Sequence, residues 1–290
     1  MGKIKKLIGA KKINKLPLSI MPTIGLVGGC GVLAGVDIEK EIISAAQRLM
    51  FPVLDQDYLN ILSYQYTQFH DRNDAVCFDG CSPYGQYMKC LKALESIGVQ
   101  VFVLACNTAH AYIPDLEKGV KVPIIDMVQE VGKDTVSKFP AISKVGLLST
   151  EATFKGKLYQ NVFASHGVTV VVPSAFIRKQ VMHAIYLIKS GVKSRLSVSK
   201  KSSSINKHPY KRVLAQNNEL SSPVDLINNA VQYLSDKGCS HIILGCTELP
   251  LVIRKEKITV NKKRLNIINP NKIVAEAAVR FCMDSDKINK

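Results

Sequence analysis

VFVLACNTAH (residues 101–110) reads as a short apolar strand that ends in a cysteine, and HIILGCTELP (residues 241–250) repeats the pattern. Each apolar run is too short for a buried helix and carries the branched and aromatic residues that favour strands. Each cysteine falls at a strand's carboxyl end, just before a helix start. Outward from these two stretches the same rhythm continues, with strands expected at 23–27, 59–64, 100–105, 122–125, 144–149, 168–172, 240–245 and 265–268. Helical spacing fills most of the gaps. Tyr87, Cys90, Leu91, Leu94 and Ile97 share one face over 84–97, and Ile177, Val181, Ala184, Ile185 and Ile188 do so over 176–189. A last amphipathic helix is expected over 271–282. Short strands alternating with helices predict an α/β chain with parallel sheets covered on both faces. Ligands in such folds bind beyond the carboxyl ends of the strands.

The echo between the two strand–cysteine stretches predicts two similar domains, each a mostly parallel sheet flanked by helices. The active site is then expected in the cleft between them, with the two thiols facing each other. Residues 1–20 read as a basic extension, 21–125 with 268–290 as the first domain, and 126–267 as the second. Residues 191–221 are rich in Ser, Lys and Asn and read as a mobile basic insertion or short lid in the second domain.

The chain has 290 residues, 47% of them hydrophobic, enough for a packed core. Its net charge of +16 is concentrated in three segments: +6 over residues 1–20, +7 over 193–212 and +5 over 254–264. The remainder is close to neutral, so the basic charge reads as solvated surface rather than a specific nucleic-acid site. Lys-rich residues 3–15 followed by an uncharged run over 16–36 imitate an export signal. Pro17, Pro22 and five glycines make that run a poor apolar helix, and 24–27 fits a first buried strand. A cytoplasmic protein without a membrane span is expected. Eight irregularly spaced cysteines then read as reduced thiols. Cys77 and Cys81 lack a second ligand pair at structural-zinc spacing, so no metal is expected. No G-x-G-x-x-G stretch is present, which argues against a dinucleotide.

A cysteine at a helix N-terminus has its thiolate favoured. Neighbouring backbone N–H groups, with the hydroxyls of Thr108 and Thr247, can bind an anion. A carboxylate ligand would thus lie between Cys106 and Cys246. That arrangement suits racemisation, in which a base removes the Cα proton on one face and an acid returns one on the other. A cysteine protease or acyltransferase needs one Cys with a His and an orienting group, so a second strand-end cysteine has no task there. His110 either shuttles protons or serves as a cap or core residue. Cys77, Cys81, Cys90, Cys239 and Cys282 read as packing or surface residues.

Ala105-Cys106-Asn107-Thr108-Ala109-His110 and Leu244-Gly245-Cys246-Thr247-Glu248-Leu249-Pro250 resemble the two signature motifs of the aspartate/glutamate racemase family. The resemblance extends from about residue 22 to 281, through 24–31, Asp55-Gln56-Asp57-Tyr58, Asp71-Arg72, 145–150, 181–191 and Ile268-Asn269-Pro270. Cys-Thr-Glu rather than Cys-Thr-His in the second motif is similar to the aspartate branch. The resemblance implies two α/β domains, catalysis without pyridoxal phosphate or another cofactor, and a homodimer. It implies that Cys106 and Cys246 are the acid/base pair acting on a small amino-acid substrate. Asn107, Thr108, Thr150 and Thr247 would hold the α-amino and α-carboxylate groups, and Arg72 and Lys189 would contact an acidic side chain. Cys30 replaces the methionine usual in the family's glycine turn, which puts a third thiol beside the substrate. Val32 replaces a proline there, and Asn269 stands where an aspartate is common. Aspartate is the expected substrate, with glutamate second. Broad specificity, a related lyase or decarboxylase, and a non-catalytic amino-acid-binding protein remain alternatives.

Overall fold

The computed structural model describes residues 21–191 and 222–284. The extension at 1–20 and all of the 191–221 insertion except Gly191 lie outside the described residues.

The first sheet is built from β1 (Thr23–Gly28), β2 (Asn60–Gln65) and β3 (Val101–Leu104), all parallel and ordered β2-β1-β3. Its helices are α1 (Val32–Met50), α2 (Arg72–Cys77), α3 (Tyr84–Ile97) and α4 (Ile113–Leu116). Side chains alternate across a strand, so each buried strand supplies both faces. Ile24, Leu26, Val101 and Val103 share one core with Ile38, Ile42 and Ala45 of α1. Val27, Phe102 and Leu104 share the other with Tyr87, Cys90, Leu91 and Leu94 of α3.

Next come α5 (Met127–Lys138), β4 (Lys144–Ser149), α6 (Glu151–Lys155), α7 (Leu158–Ala164), β5 (Thr169–Val171) and α8 (Ala175–Lys189). They are followed by α9 (Pro223–Asp236), β6 (His241–Gly245), β7 (Lys257–Val260), β8 (Lys263–Ile268) and α10 (Pro270–Met283). The second sheet runs β5-β4-β6-β8-β7, parallel except for β7. Leu148, Ile242 and Leu244 pack under α8 and α9, while Val145, Leu147 and Ile243 pack with α5 and α7. After β8 the chain returns to the first sheet, where Val274, Ala275, Ala278 and Val279 of α10 join the α1 core. Asn269 turns that corner: its side chain accepts from the N–H groups of Asn271 and Lys272, and Pro270 occupies the first helical position.

Four expectations differ from the fold. The helices expected directly after Cys106 and Cys246 are short 3-10 turns, Asn107–Tyr112 and Leu249–Leu251. The stretch at 122–125 makes one parallel bridge, Ile124 to Phe102, because Pro123 has no N–H to extend the ladder. Ile97 is 66% exposed, since it ends α3 and Gly98, at φ 92°, turns the chain away. The 254–264 segment, read above as solvated surface charge, contains β7 and the start of β8, which pair antiparallel. Its Asn261-Lys262 turn has positive φ at both residues, 45° and 65°.

Candidate active site

In each sheet the strand order reverses beside a cysteine. β2 lies outside β1 while the chain beyond β3 continues on the other side. In the second sheet β5 lies outside β4 and β8 outside β6. Loops leaving two such strands diverge and open a crevice at their carboxyl ends. Val27 pairs with Leu104 and Ser149 with Gly245, so Cys30 and Cys106 leave one crevice and Thr150 and Cys246 the other.

The two sets of loops are joined directly. The hydroxyls of Thr108, Thr150 and Thr153 form a triangle with sides of 2.9–3.0 Å. Thr150 also caps α6 by accepting from the Thr153 N–H. The Thr247 hydroxyl donates to the carbonyl of Ala105 at 3.3 Å. Asn73 Oδ1 receives the Ala152 N–H at 3.0 Å. Asn107 Oδ1 accepts from the Tyr159 hydroxyl, and its buried Nδ2 has no partner among the described residues.

Two cations converge on one carbonyl. Asp71 caps α2, accepting from the N–H groups of Asn73 and Asp74, and so fixes the start of the helix on which Arg72 sits. The buried Arg72 guanidinium donates from Nη2 to the Cys30 carbonyl at 2.9 Å and from Nη1 to the His70 carbonyl at 3.1 Å, and its Nε has no partner among the described residues. Lys189, the last residue of α8, donates from Nζ to the same Cys30 carbonyl at 3.0 Å. Its ammonium lies 3.5 Å from Glu248 Oε1, an ion pair without hydrogen-bond geometry. Glu248 is 3% exposed, and its Oε2 accepts from the Cys246 thiol at 2.9 Å and shares the single Thr247 hydroxyl proton with the Ala105 carbonyl, each at 3.3 Å. Its other oxygen packs onto Gly31, where an added Cβ would fall 1.8 Å from it.

These neighbours divide the thiols. A hydrogen bond with Cys30 holds Cys106 well below the ordinary thiol range, and the charges of Arg72 and Lys189 add to it against the opposing effect of burial. Burial pushes Cys246 well above that range, and the Glu248 carboxylate pushes it further. Burial also raises Cys30, as does its hydrogen bond with Cys106, and its Sγ lies 2.8 Å from the Tyr87 hydroxyl. Burial works to lower Lys189, but Glu248 holds it above the usual lysine value. His110 Nδ1 faces the carbonyls of Cys106 at 2.9 Å and Asn107 at 3.2 Å. That nitrogen therefore carries the proton, and the ring pins the loop as a cap does.

The Asp/Glu/Hydantoin racemase family profile matches residues 27–278. This chain belongs to that family. Within it, the chain is 28% identical over 157 residues to the broad specificity amino-acid racemase RacX of Bacillus subtilis, covering 51% of this chain and 63% of RacX. It is 25% identical over 192 residues to the glutamate racemase of Persephonella marina, covering 65% of this chain and 60% of that one. The chain thus spans less than two thirds of the length of both relatives. The Picrophilus torridus aspartate racemase structure shares the fold, with a TM-score of 0.66, 22% identity and coverage of 90% of this chain and 94% of that one.

Of the residues that the racemase-family resemblance assigned, Cys30, Arg72, Lys189, Cys246 and Thr247 are linked through Glu248 and the Cys30 carbonyl, Thr108 is bonded to Thr150, and Asn107 to Tyr159; residues 105–108 join these three sets along the chain, with Cys106 among them. Sequence reasoning gave no role to Glu248, Thr153, Tyr159 or Tyr87. For Glu248 a signal was present: an acidic residue two positions after the cysteine, directly before apolar Leu249-Pro250. No helix among the described residues is long and apolar enough to cross a membrane.

Proposed function

We propose that the chain is an amino-acid racemase that interconverts L- and D-aspartate, with glutamate second, by passing a proton between Cys106 and Cys246 without a cofactor. The observation that carries this reading is a pair of cysteines at matching places in the two sheets with unlike neighbours, Cys30, Arg72 and Lys189 around Cys106 and the Glu248 carboxylate hydrogen-bonded to the Cys246 thiol. Cys106 is favoured as thiolate and Cys246 as thiol. A two-base proton transfer needs one of each at the start. The Cys106 thiolate takes the Cα proton, and the C–H electron pair moves into the α-carboxylate as an enediolate. The Cys246 thiol delivers its proton to the opposite face. Cys106 ends as thiol and Cys246 as thiolate, the state from which the reverse reaction begins. The Cα–H is a very weak acid, so donors already aimed at the carboxylate must stabilise the developing charge. Asn107 Nδ2, which has no partner among the described residues, supplies one, and the Thr108 and Thr150 hydroxyls supply others by turning out of their triangle toward the ligand. Arg72 and Lys189 are suited to the side-chain carboxylate.

Broad specificity is the second reading. Lys189 is already engaged by Glu248, which leaves Arg72 as the less compensated cation. A second copy of the chain is the proposed partner, supported by Val32, Leu33, Val36 and Ile43 exposed on α1 beside exposed Phe51, Val53 and Leu54. Eight free cysteines, six of them buried, fit a cytoplasmic setting. The test is racemisation of each common amino acid with no cofactor added, read by chiral chromatography alongside Cα–deuterium exchange. Aspartate should turn over fastest. Comparable rates on neutral amino acids would favour the second reading. Binding without exchange would leave an amino-acid-binding protein, and loss of carbon dioxide a decarboxylase.

A further inference from the structure

Tyr159 lies on α7, has no exposed surface, and donates its hydroxyl proton to Asn107 Oδ1. Asn107 follows Cys106 directly, and the Tyr159 hydroxyl lies within electrostatic range of Cys246. The Asn107 amide is thus next in sequence to one thiol and hydrogen-bonded to a phenol that senses the charge of the other. An amide in such a place can present its oxygen to a ligand or its NH2 group, and the two choices select opposite chemistry. The oxygen would receive the substrate's ammonium, whereas the NH2 group would donate to a carboxylate. The phenolic proton makes the choice. Its one acceptor among the described residues is Asn107 Oδ1. Rotating the amide would turn NH2 toward the phenol and leave a buried O–H with nothing to donate to. Burial also keeps the phenol protonated, since it pushes Tyr159 well above the usual tyrosine value. The consequence is the buried Nδ2 that lacks a partner.

We propose that Tyr159 is a positioning residue that locks the Asn107 amide with its NH2 group toward the substrate, so that Asn107 binds the α-carboxylate and not the α-amino group. This rests on the racemase reading above, because it takes an amino acid as the ligand. It goes further by naming the residue that fixes which end of the Asn107 amide the ligand meets. Asn107 stands with the carboxylate donors, and the ammonium must be met by acceptors elsewhere.

The test uses the full chain and calorimetric binding, so that it does not depend on turnover. Three probes are compared: racemic aspartate, succinate (aspartate without its amino group) and β-alanine (aspartate without its α-carboxylate). Tyr159→Phe removes one oxygen and frees the amide to rotate. It should weaken aspartate and succinate about tenfold, the effect of losing one oriented charge-assisted hydrogen bond, and leave β-alanine unchanged. In an Asn107→Ala background the same change should have no further effect on aspartate, because Tyr159 acts only through that amide. Weakening of β-alanine but not succinate would mean that Asn107 reads the ammonium. Equal weakening of all three would mean a structural role, and equal loss in both backgrounds would mean that Tyr159 acts independently. Each of these overturns the proposal. If the unaltered chain binds aspartate without racemising it, only the racemase reading fails. If it binds no aspartate at all, both fail.

Discussion

Cys106 and Cys246 are alike in their place on a strand but differ in what surrounds them. Cys106 faces Cys30, Arg72 and Lys189, whereas Cys246 faces a carboxylate. Iodoacetamide should therefore alkylate Cys106 before Cys246 at neutral pH, with the sites read by peptide mass spectrometry. Preferential labelling of Cys246 would reverse the assignment of base and acid. The sign of the pH dependence follows. Turnover should fall as pH drops through the depressed value of Cys106, which then protonates, and again as pH rises through the elevated value of Cys246. Between them lies a broad plateau. Cys106→Ser and Cys246→Ser should each abolish racemisation while keeping deuterium exchange with one enantiomer of aspartate, opposite in the two variants. A single mutant that racemises at the parent rate would rule out the two-thiol mechanism. Arg72→Leu should cost aspartate turnover roughly 10- to 150-fold, the worth of a charge-assisted contact, and alanine turnover far less. Equal losses on both would assign Arg72 to holding the Cys30 carbonyl alone. At this scale the cysteines were legible because a strand–Cys–Thr pattern occurs twice. Tyr159 was not, because its partner Asn107 is remote in sequence; Glu248 left a signal in its place beside Cys246, but its pairing with Lys189 did not.

Among the elements, the long helices and buried strands could be read from apolar spacing alone. α3 follows the spacing at 84–97 to the residue, and β4 matches 144–149. β7 escaped because charge hid its alternation. Ile258 and Val260 are half-buried while Lys257 and Thr259 point outward, in a segment dense with Lys and Arg. Those charges suit an edge strand, where lysines discourage pairing with another chain. The β7–β8 turn is the type in which both central residues need positive φ, and glycine fits the second position best. Lys262, at φ 65°, occupies it at a cost. Lys262→Gly should therefore raise stability by up to about 1 kcal/mol, measured by urea denaturation. A lower midpoint would show that the lysine side chain contributes more than its backbone conformation costs.

Across the whole molecule, the chain begins in the first sheet, builds the second, and returns through α10 to close the first core. The two-lobed α/β layout was legible because the strand–cysteine unit repeats. The placement of one lobe against the other was not, since it depends on contacts such as Thr108 with Thr150 and Asn73 with Ala152, which no local spacing encodes. The exposed apolar face of α1 bears on assembly. Sedimentation should find a dimer, and Val36→Asp with Ile43→Asp should convert it to a folded monomer, with helix content unchanged by circular dichroism. A parent chain that sediments as a monomer would remove the proposed partner.

Gly31 and Glu248 compete for the same space. The backbone at Gly31 is extended, at φ −164°, so other residues could adopt it. Only the Glu248 oxygen forbids them. Alanine at position 31 would push that carboxylate away from Cys246 and Lys189 together. Shortening the acid by one methylene would open that space, so Gly31→Ala should disturb the site less in a Glu248→Asp background than alone.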